Sequence, residues 1–494
     1  MTTTPTDEKS RRAGASVPDS ADVVPRKGWT LALAALGVFL TSLDVVVVAT
    51  ALPTLRSELN ASLSDLEWTL NAYNLVFACL LLTGASLGDR FGRRRMYIVG
   101  LLTFTAGSAT AALSSTAGEL IASRALQGVG AAVLMPLTLT LISNAFPVEK
   151  RGAAIGIWGG VSGLGVAAGP VLGGAIVDGI SWQWIFWLNV PVGLAVAALS
   201  TRLLKESRGQ RQKLDLLGLV LAGAALFGLT WAPVRAPVVG WGSTEVVGSL
   251  VAGAVLLVAF LAWESRTRTP MLPLAYFRRR GFAAANGVTF FQFISLLGSL
   301  FMITQLFQVG LGYSPLEAGL RILVWMAMPM LVAPIAGGLA DRFGNRPFML
   351  AGLLLQGSGA AWLGLVVDPG VGYSTLVGPL IVSGVGIAMC FPTVANAVVS
   401  AVPVADSGVA AGTNSALREL GGVFGIAIMA AVFAAKGGYG SAADFIDGFK
   451  PAIAVAAAAP LVGAVFAALA PSRAQERLNE PERATDSPSA ELAA

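Results

Sequence analysis

Four charged side chains lie inside long apolar stretches of this chain: Asp44, Arg124, Arg418 and Glu419. In hydrocarbon each costs roughly 3 kcal/mol or more unless it is paired or faces water, so each is a functional candidate by default. Their formal charges sum to zero, which permits pairing. The chemistry of the chain is therefore expected at these four positions.

Asp44 is the first candidate for a proton-binding group. It lies about fifteen residues along the first apolar stretch, roughly 22 Å at about 1.5 Å per residue of helix, and so far from either membrane surface. A carboxylate withdrawn from water binds a proton more readily than an exposed one, and it can load and release protons near neutral pH. The alternative is a structural ion pair with an arginine.

Glu419 is predicted to be the second carboxylate of the same coupling chemistry, with Arg124 and Arg418 as the cationic members. Because Arg418 and Glu419 are adjacent, they point about 100° apart on a helix, and at most one of them faces a cavity squarely. For Arg124 the alternative is that its side chain extends along the helix toward the membrane surface.

The composition indicates what kind of element carries these charges. Of the 494 residues, 55% are hydrophobic and 12% are charged, and the mean hydropathy is +0.72, so a soluble globule would have too little polar surface. There is no histidine, both cysteines lie in apolar stretches, and no Gly-x-x-x-x-Gly-Lys-Ser/Thr loop occurs. We expect an all-α polytopic membrane protein that is not an enzyme and uses no metal or other cofactor.

Stretches of about 20 apolar residues, long enough to cross the hydrocarbon core, predict fourteen transmembrane helices. They begin near Trp29, Trp68, Met96, Leu120, Gly152, Trp184, Leu216, Val246, Ala283, Ile322, Pro347, Thr375, Gly408 and Pro451. Residues 1–28 and 471–494 are predicted to be disordered tails.

The basic residues predict how the chain is oriented. Of 33 Lys and Arg residues, 26 lie in the tails and in the loops on the same side, and five lie on the opposite side. This asymmetry places both termini in the cytoplasm, and we expect a multi-pass protein of the inner (cytoplasmic) cell membrane. It also accounts for the net charge of +5 without a nucleic-acid partner.

An internal repeat organises the helices. The octet at residues 88–95 has a shorter copy at 340–344, and a Gly-Val-Gly segment at 128–130 recurs at 384–386, an offset of 256. The repeat predicts two six-helix halves, 29–204 and 281–470, joined by a linker, 205–280, that contains two inserted helices. Parallel six-helix repeats with a path between them are typical of transporters that work by alternating access.

The charged loops of the repeat predict a conformational gate, formed by Asp89, Arg90 and Arg93 in the first copy and by Asp341 and Arg342 in the second. The copies are unequal, because the three arginines at 93–95 correspond to Asn-Arg-Pro at 345–347. The first copy is therefore the better candidate for a working gate.

The fifth predicted helix carries closely spaced glycines, and those four residues apart share one face, which lets another helix approach closely. A proline in the same segment removes a backbone hydrogen bond and can bend the helix. The residues are Gly156, Gly165, Gly169, Pro170, Gly173 and Gly174.

These segments resemble the major facilitator superfamily, and the glycine pattern is similar to the antiporter motif of its drug-exporting branches. The octet resembles the superfamily loop Gly-x-Leu-x-Asp-Arg-x-Gly-Arg-Arg, with Ala85 in place of the first glycine. Leu43-Asp44 followed by Ala51-Leu52-Pro53 resembles the first-helix signature of the fourteen-helix drug:proton antiporters, with Val46 and Ala49 where that family has Thr and Asn. The resemblance implies that Arg124, in Arg-x-x-Gln-Gly, assists proton transfer.

Together these features favour a proton-coupled secondary transporter that exports hydrophobic or cationic drugs or antibiotics, driven by the proton gradient and functional as a monomer. The alternatives are an exporter of one dedicated solute, such as a self-made antibiotic, a lipid or a peptide, and a sensor of the same fold that does not transport. Aromatic residues predicted to line a substrate cavity are Trp68, Tyr73, Phe291 and Trp325, with Phe290 and Phe293 nearby in sequence.

Overall fold

The computed structural model describes residues 27–208, 215–267, 270, 272, 274–403 and 407–472, and these residues form an α-helical protein. Most of both predicted tails, 1–26 and 473–494, and residues 209–214 of the predicted linker lie outside the described residues.

The first seven helices are α1 Lys27–Glu58, α2 Leu63–Phe91, α3 Arg93–Ala112, α4 Ala117–Ala145, α5 Val148–Gly179, the short α6 Trp184–Trp187, and α7 Asn189–Leu203. Two central helices follow, α8 Leu216–Val239 and α9 Thr244–Glu264. The last seven are α10 Arg280–Gln305, α11 Pro315–Met326, α12 Met328–Phe343, α13 Asn345–Val366, α14 Tyr373–Ser400, α15 Ser407–Lys436 and α16 Ala442–Leu469. A π-helical turn, Leu306–Gly310, extends α10.

Twelve helical segments of the described residues are long and apolar enough to cross a membrane. In this count α6 and α7 form one segment, as do α11 and α12. Neither α2 nor α3 is among the twelve, and α3 begins with three consecutive arginines. The structure therefore shows twelve candidate spans where the sequence predicts fourteen.

Local sequence determines where several helices begin. Ser62 and Asp65 form a reciprocal capping box at the start of α2, which satisfies backbone donors that the helix cannot use internally. Between α2 and α3 stands Gly92, whose φ of +110° is rarely adopted by a residue with a side chain. Gly344 separates α12 from α13 in the same way, with φ of +90°. The repeated Phe-Gly pair thus makes the same sharp junction twice.

The repeat is also visible in helix packing. Gly130 of α4 lies against the backbone of α3, and Gly386 of α14 lies against the backbone of α13. Similarly, Gly165 of α5 lies against α1, and Gly421 of α15 lies against α10. In both pairs the residues are 256 positions apart, and an added Cβ would press on the facing helix. The same glycine contacts therefore join corresponding helices in the two parts of the chain.

The first seven helices form one group and the last seven form a second group, and each group has a hydrophobic core of its own. The largest core cluster contains residues of both groups, such as Leu43 of α1 and Phe301 of α10. The two central helices α8 and α9 pack on each other, and α8 also packs on α2 and α15. We call the side of the bundle where α1 ends and α2 begins the α1–α2 side, and the opposite side the α2–α3 side.

Candidate functional site

Asp44 of α1 and Arg124 of α4 form a buried ion pair. Their exposed fractions are 2% and 1%, and an Arg124 Nη1 hydrogen is donated to Asp44 Oδ2. Arg124 Nη1 also donates to Gln127 Oε1 at 2.8 Å, and Arg124 Nε donates to the Thr69 carbonyl oxygen at 3.1 Å. The arginine is therefore held inside the protein by three acceptors and does not extend toward the membrane surface, which corrects that alternative.

The other carboxylate oxygen of Asp44 has amide donors. Oδ1 accepts a hydrogen bond from Gln127 Nε2 at 3.1 Å and one from Asn189 Nδ2 at 3.2 Å. Asn189 Nδ2 also donates to Ser108 Oγ at 3.0 Å, and this hydroxyl donates to the Phe186 carbonyl oxygen at 2.9 Å. Helices α1, α3, α4 and α7 thus converge on one carboxylate. Both oxygens of this buried carboxylate therefore have donors in this conformation.

Tyr73 connects this network with the second charged pair. Its ring lies 4.4 Å from Arg124 Cζ, a cation–π distance, and its side chain is 1% exposed. Tyr73 also lies close enough to Arg418 and Glu419 to interact with both charges electrostatically. Tyr73 is thus a predicted cavity aromatic that lies near both charged pairs.

Arg418 and Glu419 of α15 bind each other. Arg418 Nη2 lies 2.9 Å from Glu419 Oε1, and Arg418 Nε donates to the same oxygen at 3.0 Å. Glu419 is buried, whereas the Arg418 side chain is 26% exposed and lies 5.6 Å from the Phe293 ring centroid. The four charges thus form two pairs, each neutral, one in each group of helices.

The predicted gate in the first copy contains an ion pair between two residues four positions apart in the chain. Arg93 Nη2 lies 2.7 Å from Asp89 Oδ1, across the α2–α3 junction. Glu206, after α7, accepts hydrogen bonds from the backbone nitrogens of Arg94 at 3.0 Å and of Arg95 at 3.3 Å. A carboxylate at a helix N-terminus satisfies free backbone donors and interacts favourably with the helix dipole. The start of α3 is thereby fixed to the end of α7.

The second copy of the gate is built differently. Arg342 is exposed, and the Asp341 side chain lies outside the described part of the structure. At the start of α13 the side chain of Asn345 is buried, and its Oδ1 accepts a hydrogen bond from Asn396 Nδ2 of α14 at 3.2 Å. An amide pair occupies the place where the first copy has charges. In the first copy Arg90 is likewise exposed, with its guanidinium 5.4 Å from the Phe91 ring.

The glycines of α5 contact two different helices. Gly165, Gly169 and Gly173 face α1, where an added Cβ would press on Phe39, Val46 and Val47. On the α1–α2 side, Gly174 meets the backbone of α11 at Pro315, and the Pro170 carbonyl oxygen meets Gly319 of α11. Around Gly156, at the other end of the motif, nothing lies within 4 Å of an added Cβ.

The remaining predicted cavity aromatics make packing contacts. The Trp68 ring lies 5.5 Å from Phe227 and 5.8 Å from Trp231 of α8, and the Phe291 ring lies 5.6 Å from Phe466 of α16. Trp68 and Phe291 thus pack between helices in this structure. Trp325 is 2% exposed and donates from Nε1 to Ser383 Oγ at 3.3 Å.

Two acidic residues of interest were not among the sequence candidates. Glu206 falls in the predicted linker, 205–280, and Glu67 precedes Trp68, near which the second span is predicted to begin. Glu67 is in fact 1% exposed inside the bundle. The signal that could have identified it is the capping box at Ser62 and Asp65, which starts α2 five residues before Trp68.

Comparison with known proteins identifies relatives that match most of the chain. A family model described as Major Facilitator Superfamily matches residues 34–308 and 285–493. A tetracenomycin C resistance and export protein of Streptomyces glaucescens is 35% identical, over 83% of this chain and 76% of the relative. The multidrug efflux pump LfrA of Mycolicibacterium smegmatis is 34% identical, over 95% of this chain and 94% of the relative.

Solved structures are similar in fold. A D-xylose-proton symporter has a TM-score of 0.65 at 18% identity, covering 90% of this chain and 98% of that one. A POT family transporter bound to a thioalcohol-conjugated peptide has a TM-score of 0.67 at 15% identity, covering 93% and 99%. At these identities the likeness concerns the fold alone.

Proposed function

Because the chain belongs to the Major Facilitator Superfamily, we propose that it exports hydrophobic or cationic drugs or antibiotics across the membrane by alternating access, in exchange for protons. The relatives named for drug resistance and export cover most of the chain at about one-third identity and support the substrate class. The buried Asp44–Arg124 pair is the observation that supports proton coupling.

Asp44 has the features that a coupling group needs. Its charge is stabilised by Arg124, Gln127 and Asn189, so protonation breaks an ion pair and leaves the arginine without its counter-charge. Losing one partner of a buried pair destabilises that arrangement by about 3–5 kcal/mol. Protonation therefore favours a different arrangement of α1 and α4, which is how proton entry can drive a conformational change.

Three contacts support a conformation closed on the α1–α2 side. Gln308 Nε2 donates to the Thr50 carbonyl oxygen at 2.8 Å, and Arg56 Cζ lies 3.5 Å from the ring centroid of Tyr439. The third contact is the close approach of α5 and α11 at Gly174. All three join the first group of helices to the second, and alternating access requires them to separate.

The topology of this proposal follows from the charge asymmetry and the repeat. We infer fourteen crossings, with α2 and α3 added to the twelve apolar segments, two six-helix halves at 29–204 and 281–470, and α8 and α9 as the inserted pair. The α2–α3 side is cytoplasmic and both termini lie there. The α2–α4 and α3–α4 glycine contacts, matched in the second half, support this arrangement.

The direct test uses ethidium, a permanent organic cation that a pH gradient alone does not concentrate. The full chain is reconstituted in liposomes, and ethidium uptake is followed with the liposome interior acidic, with no gradient, and with the gradient collapsed by a protonophore. We expect uptake that depends on the acidic interior. Uptake that is equally fast in all three conditions would contradict proton exchange.

A dedicated exporter is the second candidate. It is favoured by relatives named for single compounds, such as the cephamycin export protein of Amycolatopsis lactamdurans, 33% identical over 90% of this chain. Transport of one compound with no competition from ethidium or other chemically unrelated drugs would support it.

A further inference from the structure

Helix α2 carries a buried polar stripe, which we define as Glu67, Asn71 and Asn74. These residues are spaced by four and three positions and so share one helix face. Their exposed fractions are 1%, 0% and 2%. Among the described residues, Glu67 Oε2, both polar atoms of the Asn71 side chain and Asn74 Oδ1 have no hydrogen-bond partner.

Such a stripe is unusual because each buried polar atom without a partner lowers the stability of the folded protein by about 1–3 kcal/mol. Elsewhere in the described bundle, buried Asn189 and Gln356 each leave only the side-chain oxygen unpaired, because their amide nitrogens donate hydrogen bonds. Asn286 is paired at both atoms, whereas Asn71 is paired at neither. The stripe is therefore not a general feature of how this protein buries amides. Buried polar groups left unpaired in one state are candidates for binding a ligand in another.

The position of the stripe is between the two groups of helices. On the same helix, Tyr73 backs onto Gly128 of α4, and Trp68 faces α8. Helical spacing puts the stripe on a third face of α2, and we infer that this face lies against α15 of the second group, on which α2 packs extensively. The facing segment of α15, residues 421–435, contains only Gly, Ala, Val, Ile, Met and Phe, so it offers no polar side chain except the weakly accepting methionine sulfur.

Near Asn74 lie the two neutral ion pairs that surround Tyr73, and at the other end of the stripe, toward the α1–α2 side, lies Arg56. Arg56 of α1 lies over the Tyr439 ring, and Tyr439 is close enough to interact electrostatically with both Arg56 and Glu67. The Tyr439 hydroxyl donates to Gln305 Oε1 of α10. No ion pair between Arg56 and Glu67 is formed in the described structure. The Glu67 carboxylate therefore remains available as a counter-charge when the two groups of helices separate.

We propose that Glu67, Asn71 and Asn74 form a subsite for the transported compound, in which the Glu67 carboxylate binds an organic cation and the two amides hydrogen-bond to its polar groups. This inference rests on the proposed function and adds to it a specific recognition site. The stripe lies at an interface that must open during alternating access, and its negative charge selects cations over neutral compounds. A neutral compound binds there through the amides and the apolar α15 surface.

Equilibrium dialysis with the purified full chain in detergent measures binding of two probes, ethidium and uncharged chloramphenicol. We expect Glu67→Gln to weaken ethidium binding by about tenfold or more, because a hydrogen-bonded charge contact is lost, and to change chloramphenicol binding by less than about twofold. Asn71→Leu weakens both probes. Equal weakening of both probes by Glu67→Gln, or no weakening of either, would overturn the proposal, as would a wild-type chain that binds neither.

A matched control separates binding from folding. Asn414 of α15 is an amide with partners, because its Nδ2 donates to Asn286 Oδ1 at 3.1 Å and to Thr289 Oγ1 at 2.7 Å. Asn414→Leu should lower the thermal unfolding midpoint and leave both affinities unchanged. Asn71→Leu should lower affinity without lowering the midpoint, because it removes atoms that have no partner. A lower midpoint in Asn71→Leu would contradict an unpaired stripe.

Failure of the subsite and failure of the proposed function are distinguishable, because binding in detergent needs no gradient. A chain that binds both probes as expected but ignores the pH gradient in liposomes would overturn proton exchange and leave the subsite intact. A chain that pumps ethidium with unchanged affinity in Glu67→Gln would overturn the subsite alone.

Discussion

At Asp44, both carboxylate oxygens are occupied by donors from other helices. Arg124 and Gln127 come from α4 and Asn189 from α7. A charge can be kept in this interior because both of its oxygens have donors, and in the proposed mechanism a single proton changes that pairing. The two alternatives for Asp44, an ion pair and a proton site, are thus compatible as two states of one group.

Removing only the arginine of this pair should be more damaging than neutralising both partners. We expect Arg124→Met to destabilise the protein by about 3 kcal/mol or more, since an unpaired carboxylate stays buried. In Asp44→Asn with Arg124→Met much of this loss should be recovered. Thermal unfolding midpoints of the purified chain in detergent measure both effects. A double variant less stable than Arg124→Met alone would show that the pair is not coupled in this way.

At the residue scale, the sequence predicted which charges are costly but not how they are satisfied. Asp44 and Arg124 could be identified because each interrupts an apolar run. The roles of Asn189 and Ser108 depend on contacts across more than 80 residues of chain, which spacing within one helix does not encode. Glu67 was missed because the start of α2 was placed too late.

At the scale of the element, α5 shows how a spacing of four becomes a contact surface. Gly165, Gly169 and Gly173 share the face that lies on α1, as the sequence predicts for glycines four residues apart. The partner helix could not be predicted from this spacing. Nor could the second contact, between the end of α5 and α11, because it joins residues about 150 positions apart in the chain and depends on how the two groups of helices pack.

The contact between α5 and α11 provides a prediction about conformational cycling. An added methyl group at Gly319 would overlap the Pro170 carbonyl oxygen, whereas nothing lies within 4 Å of one at Gly160. We expect Gly319→Ala to prevent closure on the α1–α2 side and to slow ethidium transport by about tenfold or more, and Gly160→Ala to transport normally. Initial rates in proteoliposomes measure this. Similar rates for the two variants would contradict a requirement for this contact.

At the scale of the molecule, the sequence repeat at an offset of 256 corresponds to repeated glycine contacts between helices. The match to the family model identifies the fold. The number of membrane-spanning helices is harder to predict than the repeat. Hydropathy measures how apolar a helix is and does not show where the helix lies in the bundle. The helices α2 and α3 both lie against α4, although neither is among the twelve apolar segments of the described residues, and α3 begins with three arginines.

Sidedness can be tested with single cysteines in a chain that carries Cys79→Ala and Cys390→Ala. Asn60→Cys lies in the exposed turn between α1 and α2, and Arg208→Cys lies on the α2–α3 side. A membrane-impermeant maleimide applied to intact cells should label the first and should reach the second only after permeabilisation. The reverse pattern would place the α2–α3 side outside the cell.

The central claim is that Asp44 couples proton movement to transport. It is tested most directly by comparing two ethidium assays in proteoliposomes that contain the Asp44→Asn variant. One is uptake driven by an acidic interior, and the other is exchange of ethidium across the membrane with no gradient. We predict that Asp44→Asn loses the gradient-driven uptake and retains the exchange, because the variant still alternates but carries no proton. Gradient-driven uptake at the wild-type rate in Asp44→Asn would contradict the claim.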